Sequence, residues 1–219
     1  MAAVSRQAAT PPDTWRRRVV IHGVLAAAWM IGVTALLGAR GDWSELPRDL
    51  VIPTLVGLLG SAMLASVGGT SRGRIMVGAS SEVLFGLLAS IPVLLLVVVT
   101  MFDLQGPETP LSVDPGATFA GAVKCDLLII GVGLPLLGLG WALLRGLILA
   151  RPALSGACVG LGAATWAHAI LRVHCPMGGA SHAIIGHLLP AIPVMALGAW
   201  VFSARAHVDR ATPADGSDR

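Results

Sequence analysis

The segment WRRRVVIHGVLAAAWMIGVTALLGAR, Trp15 to Arg40, sets three consecutive arginines before a run from Val19 to Gly38 that holds no acid, lysine or arginine. Two readings compete for it. A basic run followed by apolar residues is the pattern of a secretory signal, with Ala39-Arg40 as a crude cleavage region, but signal cores are ~7–15 residues long. A bilayer core of ~30 Å needs ~20 apolar helical residues, which is what this run supplies. The segment therefore reads as a retained first span.

Working outward, five further runs of that length are bounded by charges, prolines or glycines: approximately Leu50 to Gly69, Val83 to Met101, Ala122 to Leu144, Leu154 to Val173 and His182 to Phe202. The expected fold is an all-α membrane protein, a six-transmembrane-helix bundle, with residues 1–18 and 203–219 as tails. Composition agrees. The 219 residues are 55% hydrophobic and 12% charged, against ~25% charged in soluble domains, and the mean hydropathy is +0.79. A soluble globular domain and a disordered chain are both excluded, and 3 cysteines are too few for a secreted disulfide scaffold.

A net charge of +3 would suggest nucleic-acid binding in a soluble protein. Here the basic residues are read by position, because cytoplasmic loops of membrane proteins collect Lys and Arg. With six spans both tails share a side. That side gathers Arg6, Arg16, Arg17, Arg18, Arg72, Arg74, Arg145, Arg151, Arg205, Arg210 and Arg219, which is 11 of the 15 basic residues, leaving Arg40, Arg48, Lys124 and Arg172 opposite. Both termini are therefore expected in the cytoplasm, at a bacterial inner membrane. Trp15, Trp141 and Trp200 fall at cytoplasmic span ends, where amphipathic rings favour the headgroup zone.

Chemistry-bearing residues concentrate at the opposite, outer end. Cys125 opens span four, His168 closes span five, His174 and Cys175 follow it, and His182 and His187 lie in the first turns of span six. Thiolate and imidazole are the transition-metal ligands of proteins, and two cysteines on an oxidising face can also pair. Metal or haem-like ligation through Cys125, Cys175, His168, His174, His182 and His187, a Cys125–Cys175 disulfide or redox pair, and plain interfacial packing all remain open on the residues alone. Helical geometry trims the first: His168 and Cys175 are two turns apart and share a face, whereas His182 and His187 stand about 140° apart on an ideal helix. At most one of that last pair is expected to point at a site beside His168. Cys158, between Gly156 and Gly160, reads as a small packing residue. No C-x-x-C, Walker loop, H-E-x-x-H or G-x-S-x-G occurs, so no catalytic residues are expected and the chain does not read as an enzyme. A rival reading remains, a small metal- or haem-handling or redox membrane protein built on the outer cluster. A transporter would be expected to hold polar groups at the midplane rather than at one end.

The stretch from Lys124-Cys125-Asp126 to Arg172-Val173-His174-Cys175-Pro176 resembles the NrsF-type family of integral membrane anti-sigma factors. There a cysteine at the start of one span is followed by His-Cys-Pro after the next, as Cys125 and Cys175 are here. Within the family the chain looks most like the CarR type, which governs light-induced carotenoid synthesis. The resemblance implies a protein that holds an extracytoplasmic-function sigma factor at the inner membrane until a stimulus, light or oxidative stress, releases it. It implies no direct nucleic-acid contact and no small-molecule substrate. The cytoplasmic loops 70–82 and 145–153 and the tails are then the partner-binding surface, with Trp15, Arg16, Arg17, Arg18, Arg72, Arg74, Arg145 and Arg151 as candidate contacts. The N-tail departs from the acidic tail of many members through Pro11-Pro12 and its arginines.

Overall fold

The computed structural model describes residues 12–41, 52, 55–60, 62–63, 90–91, 93–95, 97–98, 115–144, 151–175 and 180–211. Helix α1 spans Pro12–Leu37, α2 Pro115–Leu144, α3 Pro152–His174 and α4 Ala180–Ala183; a π-helical turn covers Ile184–Leu188, and α5 spans Ala191–Ala211. The described residues are helical or connecting, with no strand among them. Four stretches are long and apolar enough to cross a membrane: Arg17–Leu37, Phe119–Leu144, Pro152–His174 and Ile184–Ala204. They coincide with expected spans one, four, five and six. Most of spans two and three lies outside the described residues. Their described fragments are helical, and Leu58 and Ala62 are fully buried against α1, α2 and α3.

Proline explains two of the helix starts. Pro12 and Pro152 each occupy the first helical position, where the missing N–H costs nothing and the fixed φ already suits a helix. Gly38 ends α1 with a φ of +80°, in the left-handed region that glycine enters without strain, and its N–H closes onto Thr34 O at 2.9 Å. Within α2, Pro135 removes one ladder hydrogen bond. Trp29 Nε1 of α1 donates to Val132 O at 3.2 Å in the same turn, a side-chain hydrogen bond that ties α1 to α2 beside the proline.

Helix α3 is the centre of the bundle. In its membrane-crossing window 89% of residues are buried, against 11% in α1. It is also the least apolar of the four, because a helix surrounded by protein needs small residues for close approach, whereas a helix facing lipid needs apolar area. The outward faces of α1, α2 and α5 carry Val24, Ile31, Leu36, Leu127, Ile192 and Trp200 in the open. That surface is suited to hydrocarbon, and the hydrogen bonding within each helix satisfies its backbone there.

The tightest packing joins α3 to α5. A Cβ at Gly156 would run into the carbonyl oxygen of Gly198, one at Gly198 would strike the carbonyl of Gly156, and one at Gly160 would sit 2.5 Å from Val194 O. The helices also run in opposite directions, which puts the start of α3 beside the end of α5. Gly156→Val should therefore lower the thermal unfolding midpoint in detergent, at a cost of about 1–3 kcal/mol or more. Gly138→Ala, whose Cβ would meet nothing within 4 Å, should stay within about 0.5 kcal/mol of wild type.

A buried thiol and imidazole cluster

The bundle has two chemically distinct ends. At one, the first turns of α1 meet the last turn of α2, where Arg18 Nη1 donates to Leu143 O at 3.0 Å. Arg17 is exposed beside it and Arg151 caps α3 at the same end. His22, one turn further into α1, is buried against Gly140. Of the other candidate partner contacts, Arg72, Arg74 and Arg145, and the side chains of Trp15 and Arg16, lie outside the described residues.

At the other end α1 and α3 finish together. His174 Nδ1 faces Gly38 O at 2.9 Å, and Arg40 N donates to Val173 O at 2.9 Å. These contacts turn His174 toward α1. It is the one expected ligand that the structure uses elsewhere, for bracing two helix ends.

The remaining five expected residues converge. Cys125 projects from the second turn of the membrane-crossing part of α2, and Cys175 caps α3 with its N–H on Leu171 O at 2.7 Å. Their sulfurs are 3.6 Å apart, and Cys175 Sγ lies 3.3 Å from His182 Nε2. Both cysteines are thiols in contact, not a disulfide. His182 and His187 pack edge to face with ring centroids 5.0 Å apart, and His187 meets His168 in the same manner at 5.4 Å. One ligand atom from each of Cys125, Cys175, His182 and His187 falls within a group no wider than 4.8 Å, and all four residues are buried. His168 stands just behind, with its Nδ1 3.3 Å from the carbonyl of His187.

That both histidines of span six reach the cluster corrects the ideal-helix expectation, and the reason is local. Residues 184–188 form a π turn, closed by Leu189 N to Ile184 O at 2.9 Å. A π turn bonds residue i to i+5 and so winds less per residue than an α-helix, which brings His182 and His187 nearer to one face than an unbroken α-helix would. Two sequence features accompany it. Pro190 cannot donate back into the preceding turn, and Gly186 lets that turn lie on α2, since a Cβ there would be 2.9 Å from Ala122 O and 3.2 Å from Cys125 Cβ. Gly186 and Pro190 are thus positioning residues that a ligand-type search passes over; a glycine four residues before a proline inside an apolar run was the available signal. Ile129, Ile170 and Leu171 pack around the sulfurs and keep the site dry. Several ring nitrogens, among them His182 Nδ1, His168 Nε2 and both of His187, are buried with no hydrogen-bond partner among the described residues.

Fold and site together define a helical protein with several membrane-spanning candidates, an arginine-bearing end and a buried sulfur–imidazole end. A family model described as Negative regulator of sigma F matches residues 3–205, and the chain belongs to that family. It is 28% identical over 200 residues to the Anti-sigma-F factor NrsF of Caulobacter vibrioides (strain NA1000 / CB15N), a match that covers 87% of this chain and 88% of the relative. No solved structure matches it.

The geometry sets a chemical expectation for the thiols. On treatment with diamide, which takes up two electrons and two protons as two thiols become a disulfide, Cys125 and Cys175 should join to each other. Peptide mapping without reductant should find Cys158 outside the bridge; a bridge involving Cys158 would contradict this arrangement.

Proposed function

We propose that the chain is a membrane-bound anti-sigma factor that sequesters an extracytoplasmic-function sigma factor on the cytoplasmic side of a bacterial inner membrane. The observation that carries this reading is the family match over residues 3–205. The fold is compatible with it: four membrane-spanning candidates leave the described chain with helices and short connections, a form suited to holding a partner. The sigma factor is held by the arginine-bearing end, through the tails and loops 70–82 and 145–153. Trp15, Arg16, Arg17, Arg18, Arg72, Arg74, Arg145 and Arg151 are the proposed contacts, and none is a catalytic group. A stimulus, light or oxidative chemistry in the CarR manner, acts on the bundle and releases the partner to RNA polymerase.

Helix α3 offers a physical route between the two ends. Its 23 residues span about 34 Å at ~1.5 Å per residue, with Arg151 at one terminus and Cys175 at the other. A change at the sulfur cluster that shifts the end of α3 is carried along a single rigid element to the loop before it.

Two experiments test this reading. Affinity purification of the full chain from detergent extracts should bring down a sigma factor, and paired Arg16→Gln and Arg17→Gln should cut its recovery several-fold, about 1 kcal/mol in total for exposed charge contacts. Recovery of no sigma factor, with a change in metal or haem content of cells on deletion, would favour the metal-handling alternative that the four-donor group keeps in view. For orientation, reporter fusions after Arg40 and Pro107 should register outside, and those after Arg74, Arg151 and Arg205 inside. An inside signal at Pro107 would end the six-span topology.

A further inference from the structure

The sulfurs and ring nitrogens at the outer end are arranged more regularly than packing requires. A tetrahedral centre with metal–sulfur bonds of ~2.3 Å and metal–nitrogen bonds of ~2.0–2.1 Å separates its donors by about 3.8 Å between sulfurs and about 3.5 Å between sulfur and nitrogen. The Cys125–Cys175 sulfur pair is at 3.6 Å and the Cys175 to His182 pair at 3.3 Å, close to two edges of such a tetrahedron. The remaining donor pairs lie within 4.8 Å, so rotation of the His187 ring, whose two nitrogens have no hydrogen-bond partner among the described residues, brings the fourth vertex in.

We propose that Cys125, Cys175, His182 and His187 form a tetrahedral two-cysteine, two-histidine site for a resident divalent d10 cation, Zn2+. Donor type selects this class: the group contains no carboxylate and no hard oxygen ligand, which excludes calcium and magnesium chemistry. Charge selects within it. Two thiolates, two neutral imidazoles and one divalent cation sum to zero, the state that costs least where the surroundings are apolar and dry. A monovalent ion would leave one uncompensated negative charge in the same place. Binding converts two thiols to thiolates and releases two protons to solvent, with no change in oxidation state.

Burial supplies a second, independent argument. His182 and His187 are fully or almost fully enclosed, at 0% and 4% exposure, and buried polar atoms in native proteins nearly always have a partner. A disulfide would occupy the two sulfurs and leave every one of these ring nitrogens as it stands. A cation takes one nitrogen from each ring. It also gives the π turn a purpose, because that turn is what places residues 182 and 187 on one side.

The test uses the full chain purified in detergent without chelator. Elemental analysis should find one zinc per chain, and the zinc-edge absorption spectrum should fit two sulfurs at ~2.3 Å and two nitrogens at ~2.0 Å. Exchange of Zn2+ for Co2+ should give the visible bands of tetrahedral cobalt with sulfur-to-metal charge transfer. His182→Ala and His187→Ala should each weaken zinc binding, read by chelator competition, by more than about a hundredfold, since loss of even an outer hydrogen-bond partner costs 10–100-fold. Cys158→Ser should keep one zinc. The cobalt spectrum is recorded on wild-type protein, so poor folding of a variant cannot decide the matter. A wild-type chain that binds no added ZnCl2, a Cys125–Cys175 disulfide in the isolated protein, or unchanged affinity in both histidine variants would overturn the site. Each readout needs this chain alone, so absence of a sigma factor partner leaves the result intact and bears only on the function proposed above.

Discussion

Backbone meets backbone between α3 and α5, with no side chain interposed at Gly156 and Gly198, and most of the described architecture follows from that contact. Lipid gives two helices no hydrophobic reason to associate, so attraction must come from surfaces that fit at close range. Small residues along α3 let other helices surround it. Once α3 is enclosed, its two ends are set: the start lies with the arginines of α1, and the finish lies with Cys125 and the opening turns of span six. The sulfur cluster inherits its geometry from this approach, because Cys175 and His187 belong to the two segments that the glycines draw together.

Much of this was legible in the residues. Runs such as Val19 to Gly38, which has no Lys, Arg or acid, and Ala122 to Leu144, charged only at its opening Lys124 and Asp126, announce spans through length and apolar content, and the structure has helices at both. The gathering of Cys125, Cys175, His168, His182 and His187 at one end also followed from span order. Two things did not. His174 is the same residue type in the same loop, yet a single hydrogen bond to Gly38 O turns it away. Spacing cannot register that, because the partner lies 136 positions distant. The joint arrival of His182 and His187 was hidden for a different reason, namely that periodicity arguments assume one helical pitch throughout a span.

The two ends differ in what they can do. Around Arg17, Arg18 and Arg151 the chain presents charge, and charge at a membrane surface recruits and orients partners at modest energetic cost. Around Cys125 and Cys175 it encloses groups that respond to chemistry rather than to shape. A regulator needs both kinds of surface and a connection between them. Helix α3 touches each, and the Arg18 to Leu143 and His174 to Gly38 hydrogen bonds tie its neighbours α1 and α2 into the same frame.

The π turn has a consequence for how this segment can change over time. Such a turn is an α-helix holding one residue more than its pitch accommodates. Removing a single residue between Ile184 and Leu188 would let the ordinary ladder resume, and everything before the deletion would rotate by about 100° relative to α5. His182 would then swing away from Cys175, although every ligand was still encoded. Lineages that carry the sulfur–imidazole cluster should thus keep Gly186 and His187, exchange Ile184, Ile185 and Leu188 for other apolar residues, and show almost no insertions or deletions: here the number of residues, as much as their identity, is the heritable trait.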